Sequence, residues 1–140
     1  MTPSRTLTGK CLYGAVQYSV QDQFKYALCC HCSNCRQATG SAFKPFAGIE
    51  RNRFSIKAGE GALLFFGEKR VHDVRCKKCG SLIYSIVRDG EYVHVTHGTL
   101  VDTPTIRPSA HLFVESKAPG TPFTISCLST TSLSAGATLV

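Results

Sequence analysis

The chain has no tryptophan, a single methionine, and only 9 acidic residues against 16 lysines and arginines. It contains no stretch approaching the ~18 apolar residues of a membrane-spanning helix. Met1 to Lys10 holds no apolar run of signal-peptide length. A membrane span and a secretory leader are therefore not expected, and a cytoplasmic location is. Disorder is excluded by composition: 43% of residues are hydrophobic and 18% charged, whereas disordered chains are poorer in apolar residues and richer in charge. No internal repeat is visible, which argues against a solenoid. A chain of 140 residues can bury enough surface to build a core without disulfides. The net charge of +7 favours anionic partners. The densest basic patch, Lys69, Arg70, Arg75, Lys77 and Lys78, lacks the interleaved aromatics that stack bases. Nucleic acid is not expected as a partner, and a small acidic molecule fits better.

Strand patterns dominate the rest. Val16, Tyr18 and Val20 alternate with polar residues, as do Phe24, Tyr26 and Leu28, and period-two alternation marks a half-buried strand. Gln21-Asp22-Gln23 is the polar break expected to join these two strands. Residues 54–57, 63–66, 71–75, 82–87, 92–96 and 112–115 also read as strands. Gly59-Glu60-Gly61 is a turn, and Asp89-Gly90 should close a hairpin between 82–87 and 92–96, because tight hairpins need positive φ. The one helical stretch is short, Ser33 to Thr39, ended by Gly40. Many short strands with regular turns predict an all-β domain spanning residues 1–117. From Ala118 to Val140 no residue is charged and Ser and Thr dominate. That segment is expected to be a loosely attached tail.

Eight cysteines in a chain expected to be cytoplasmic point to metal or thiol chemistry before disulfides. Cys30, Cys32 and Cys35 form a C-x-C-x-x-C run. Positions i and i+2 of an extended segment share a side, and a turn after Cys32 brings Cys35 back. Three thiolates can then converge on one zinc, leaving its fourth position open, which is the pattern of a catalytic site. Cys29 should face the opposite way as a small buried hydrophobe. His31 also points away and is expected to be structural. A second constellation, Cys76-Lys77-Lys78-Cys79-Gly80, is a zinc-knuckle half-site, with Gly80 allowing the sharp turn. Cys11 is the candidate third ligand. Cys127 lies in the tail and is expected to be incidental.

These blocks resemble the glutathione-dependent formaldehyde-activating enzyme family, to which centromere protein V is related. The likeness is carried by Gly9-Lys10-Cys11-Leu12-Tyr13-Gly14, Cys30-His31-Cys32-Ser33-Asn34-Cys35-Arg36-Gln37, Gly40-Ser41-Ala42-Phe43, Cys76-Lys77-Lys78-Cys79-Gly80, His97-Gly98-Thr99-Leu100 and Arg107-Pro108-Ser109-Ala110-His111. It covers Leu7 to Lys117. The resemblance implies a β-tent of short antiparallel sheets and two zinc sites. Cys30, Cys32 and Cys35 would hold the catalytic zinc, and Cys11, Cys76 and Cys79 the structural one. It implies carbon–sulfur lyase chemistry on a glutathione adduct. One departure is notable: Tyr13 stands where the family carries a second cysteine in its first block, so the structural site lacks a thiolate. A phenol with a pKa of ~10 is a poor zinc ligand at neutral pH.

A three-thiolate zinc is a weak activator of water but takes a fourth soft ligand well. A thiol bound there loses its proton readily and can add to an aldehyde. Such a site gathers negative charge, and Arg36, next to Cys35, is the expected offsetting cation. The substrate class that follows is a small thiol adduct such as S-hydroxymethylglutathione. Two other functions stand beside the lyase: a zinc-stabilised binding module, and a redox-active zinc–thiolate protein in which Cys76 and Cys79 form a reversible disulfide.

Overall fold

A computed structural model describes residues 4–120 and the backbone of 128–129. Apart from one short helix and a few single-turn 3-10 segments, its regular structure is β. The strands are β1 (Thr6–Lys10), β2 (Gln17–Gln21), β3 (Tyr26–Cys30), β4 (Lys44–Glu50), β5 (Phe54–Ala58), β6 (Leu63–Gly67), β7 (His72–Cys76), β8 (Leu82–Val87), β9 (Tyr92–Thr96), β10 (Ala110–Leu112) and β11 (Leu128–Ser129). The helix, α1 (Ser33–Thr39), follows β3. Among the described residues, no helix is long and apolar enough to cross a membrane.

Two sheets form. A three-stranded antiparallel sheet has the order β1-β2-β5, and an eight-stranded sheet runs β11-β10-β3-β4-β9-β8-β7-β6. Gln21 to Gln23 lies between β2 and β3, as expected, and carries the chain from one sheet to the other. Asp22 anchors that passage, accepting hydrogen bonds from Arg5 at 3.0 Å and the Thr105 hydroxyl at 2.6 Å. The large sheet is mixed, because β10 runs parallel to both β3 and β11. The strand read at 112–115 ends earlier, at Leu112, because Phe113 takes φ 55° and turns the chain into a 3-10 segment. The β8–β9 hairpin forms as expected, with Arg88, Asp89 and Gly90 all at positive φ.

The two faces of the large sheet have different tasks. Ile49, Val74, Tyr84, Val93 and Val95 pack with Leu7, Tyr18 and Val20 of the small sheet into the main core. On the other face the register aligns Tyr26, Gly48, His94, Ser85 and Asp73 in one row across β3, β4, β9, β8 and β7. Gly48 is required there, since a Cβ would overlap the Tyr26 ring lying over it. A smaller core of Leu28, Cys30, Phe46, Ala110 and Leu112 adjoins this face, with Cys32 and Cys35 packed against it. Leu64, Phe65 and Phe66 of the edge strand β6 are exposed.

Candidate metal centre

The segment after β3 delivers three sulfurs to one place. Cys30 ends the strand, Cys32 caps the following helix, and Cys35 sits in its first turn. Cys32 does the capping with sulfur: its backbone is extended, and Sγ accepts the Cys35 N–H at 3.3 Å. Gly40 ends the helix in the left-handed conformation and returns its N–H to Arg36, as a C-terminal glycine does. The Sγ atoms of Cys30, Cys32 and Cys35 all lie within 4.8 Å of one another. Cys30 is buried and the other two are partly exposed. A hydrogen bond with Cys30 and burial hold the Cys35 thiol well above its ordinary pKa, and the charge of Lys44 works against them. A metal ion would have to displace that proton to bind.

The cluster forms one wall of a cavity of about 280 Å³. Lys44, Phe46, Ser85, His94 and Asp73 form the floor. Lys44 is buried at 6% exposure and stands opposite Cys30 in the β3–β4 register. Its Nζ donates to Ser85 Oγ at 3.0 Å, and Ser85 donates to Asp73 Oδ1 at 2.6 Å. His94 Nε2 lies 2.7 Å from the Tyr26 hydroxyl, and its ring stacks on Phe46. Burial, then the charges of Lys44 and Arg88, pull the His94 pKa down to about 3, so it is neutral at pH 7. None of Lys44, Ser85, Asp73 and His94 stood out in the sequence. The one available signal was a lysine set inside the otherwise apolar run Phe43 to Ile49.

Arg36 is placed differently from the sequence expectation. It is not among the residues lining the cavity, and its guanidinium donates to the Ser116 carbonyl at 2.8 Å. The buried cation beside the sulfurs is Lys44. Cys29 is buried, on the side of β3 away from the cluster. His31 is buried too, its Nε2 2.9 Å from Nδ1 of His111. Cys127 lies outside the described residues.

A second group, Cys11, Cys76 and Cys79, also brings its sulfurs within 4.8 Å of one another. Cys11 Sγ accepts the Val16 N–H at 3.2 Å. Burial opposes the Cys79 thiolate, but the Ser81 hydroxyl and N–H, the Tyr13 N–H and Cys11 outweigh it and lower its pKa. Tyr13 thus serves Cys79 through its backbone, while its side chain is 73% exposed. The Ser81 hydroxyl oxygen lies 3.2 Å from Cys79 Sγ. Arg75 links the two regions, donating to Gly80 O at 2.9 Å and to Ala38 O on α1. The described cysteines form no disulfides.

Two cysteine clusters in this order along the chain carry a family signature. The family model for the glutathione-dependent formaldehyde-activating enzyme matches residues 6–116. The chain belongs to this family. Among solved structures, this chain is similar to a crystal structure of a Rhodobacter sphaeroides protein. The TM-score is 0.58 at 25% sequence identity, over 71% of this chain and 92% of that one. No curated protein gives a significant match. Membership in the formaldehyde-activating family points to glutathione-dependent or related carbon–sulfur chemistry, and the cysteine clusters are the groups that could hold metal.

Proposed function

We propose that this protein is a zinc-dependent carbon–sulfur lyase acting on the aldehyde adduct of a small thiol, with S-hydroxymethylglutathione as the type substrate. The observation that carries it is a three-sulfur cluster forming the wall of an open cavity large enough for a small molecule. The donors fit zinc. Tetrahedral bonds of ~2.3 Å to sulfur place the ligands about 4 Å apart, and these sulfurs lie within 4.8 Å of one another. The donor set is all sulfur, which suits a borderline-soft cation. Zinc held by Cys30, Cys32 and Cys35 would favour the thiolate form of a substrate thiol.

The chain's own residues do the rest. Phe46 and Leu112 give the cavity apolar surface beside the sulfurs. Lys44 offsets negative charge gathered at the sulfurs. The neutral Tyr26–His94 pair closes the floor without adding charge. Arg36, next to Cys35 in α1, ties the helix to the Ser116 carbonyl. In the forward direction the substrate sulfur attacks the carbonyl carbon. A C–S bond forms, the C=O π pair moves to oxygen, and that oxygen takes a proton from water. Cleavage is the reverse, with the C–S pair returning to sulfur. We assign a structural zinc to Cys11, Cys76 and Cys79, tying the start of the chain to the β7–β8 turn, and read the two-sheet frame as a β-tent.

Cobalt in place of zinc gives a direct test. Glutathione should shift the sulfur-to-cobalt charge-transfer band, and S-methylglutathione should do so weakly. No change with glutathione at millimolar concentration removes the chemical basis of the lyase.

A further inference from the structure

We propose that Lys44 selects the substrate: its ammonium pairs with a carboxylate carried by the thiol, and the cavity is shaped for a compact thiol acid. The sulfur end of this inference rests on the lyase proposal; the carboxylate end rests on the following geometry.

Lysines are almost never fully buried without a partner, and Lys44 is 6% exposed. Its hydrogen-bond partner is a neutral hydroxyl, Ser85 Oγ at 3.0 Å. Ser85 gives its only proton to Asp73 at 2.6 Å, so toward Lys44 it can only accept. The ammonium is thus held to its counter-charge through an intervening hydroxyl, a costly way to bury a charge if stability were its sole purpose. An ammonium has three donors, and Ser85 takes one of them.

Lys44 begins opposite Cys30 on β3, and its Nζ reaches past β9 to Ser85 on β8. Its ammonium therefore faces the same cavity as the three sulfurs, and a carboxylate carried on a short stem from a bound sulfur meets it there. The space between is apolar, lined by Phe46, Val87 and Leu112. At about 280 Å³ it lies just under the ~300–1,000 Å³ of pockets that enclose drug-sized ligands. A thiol, a short apolar stem and one carboxylate match this space. In a tripeptide thiol such as glutathione the nearer carboxylate is separated from sulfur by a longer stem that includes a peptide bond, and the rest of the molecule would extend past the exposed rim at Phe66 and Val71.

The test compares mercaptopropionate with mercaptopropionamide, two thiols of equal size that differ in charge, by titration of the cobalt-loaded protein. A charge-assisted hydrogen bond corresponds to roughly tenfold or more in affinity. The acid should bind the wild type tighter by at least that factor. Lys44→Met should weaken the acid more than the amide and bring the two affinities to within about twofold of each other. Lys44→Arg should retain part of the preference. Equal affinities in the wild type, or a preference that survives Lys44→Met, overturn the assignment while leaving the lyase intact. If neither thiol shifts the band, the lyase itself falls. The wild-type comparison is decisive even if Lys44→Met does not fold, and Lys44→Gln provides a second variant.

Discussion

Acid should destabilise this protein through His94. Buried at 4% exposure against Phe46, its ring has a pKa near 3, whereas a histidine in an unfolded chain titrates at ~6.5. Between those values the unfolded chain holds a proton at this position and the folded chain does not. Stability from His94 is therefore fully present above pH ~6.5 and is lost progressively as pH falls toward 3. Over the interval from pH 7 to pH 5 the loss is about 2 kcal/mol. His94→Gln removes the titration and keeps a group that can hydrogen-bond the Tyr26 hydroxyl. Urea unfolding at the two pH values, at matched metal content, reads the difference. With m of ~1–3 kcal/mol/M, the wild-type midpoint should fall by about 1 M more than the variant's. Parallel losses in the two proteins would refute the assignment of the acid sensitivity to His94.

Three further outcomes are expected. Cys32→Ser should remove one metal equivalent while the circular dichroism of the β fold persists; unchanged metal content by mass spectrometry would place the ion elsewhere. Tyr13→Cys should raise metal content and melting temperature together, since zinc coordination in small domains contributes on the order of 10 kcal/mol. If it changes neither, position 13 lies out of reach of the second cluster. Gly48→Ala should cost about 2–3 kcal/mol in chemical denaturation, because the added Cβ must push the Tyr26 ring away from His94; a cost under about 0.5 kcal/mol would mean that the ring moves freely.

Local chemistry was legible and long-range placement was not. The helix Ser33–Thr39 and its Gly40 cap follow from capping rules, and the β8 and β9 spans follow from alternation around Asp89-Gly90. Both cysteine groups were visible from spacing, because ligand spacing is itself a local property. Strand β4 was missed. It is buried along most of its length, so it shows no alternation, and Pro45 and Gly48 imitate a loop. With β4 went Lys44, whose role depends on its register opposite Cys30 and on Ser85 two strands away. Arg36 drew attention by its nearness in sequence to Cys35. One helical step rotates a side chain by about 100°, and its guanidinium goes to Ser116 instead.

The central claim is that Cys30, Cys32 and Cys35 support the making and breaking of a carbon–sulfur bond. Exchange spectroscopy by NMR, with isotope-labelled formaldehyde and glutathione at equilibrium, measures that bond directly. The zinc-loaded wild type should speed exchange between hydrated formaldehyde and S-hydroxymethylglutathione well beyond the rate in buffer, and Cys32→Ser should return it to the buffer rate. A zinc-loaded wild type that leaves the exchange at the buffer rate would contradict the account.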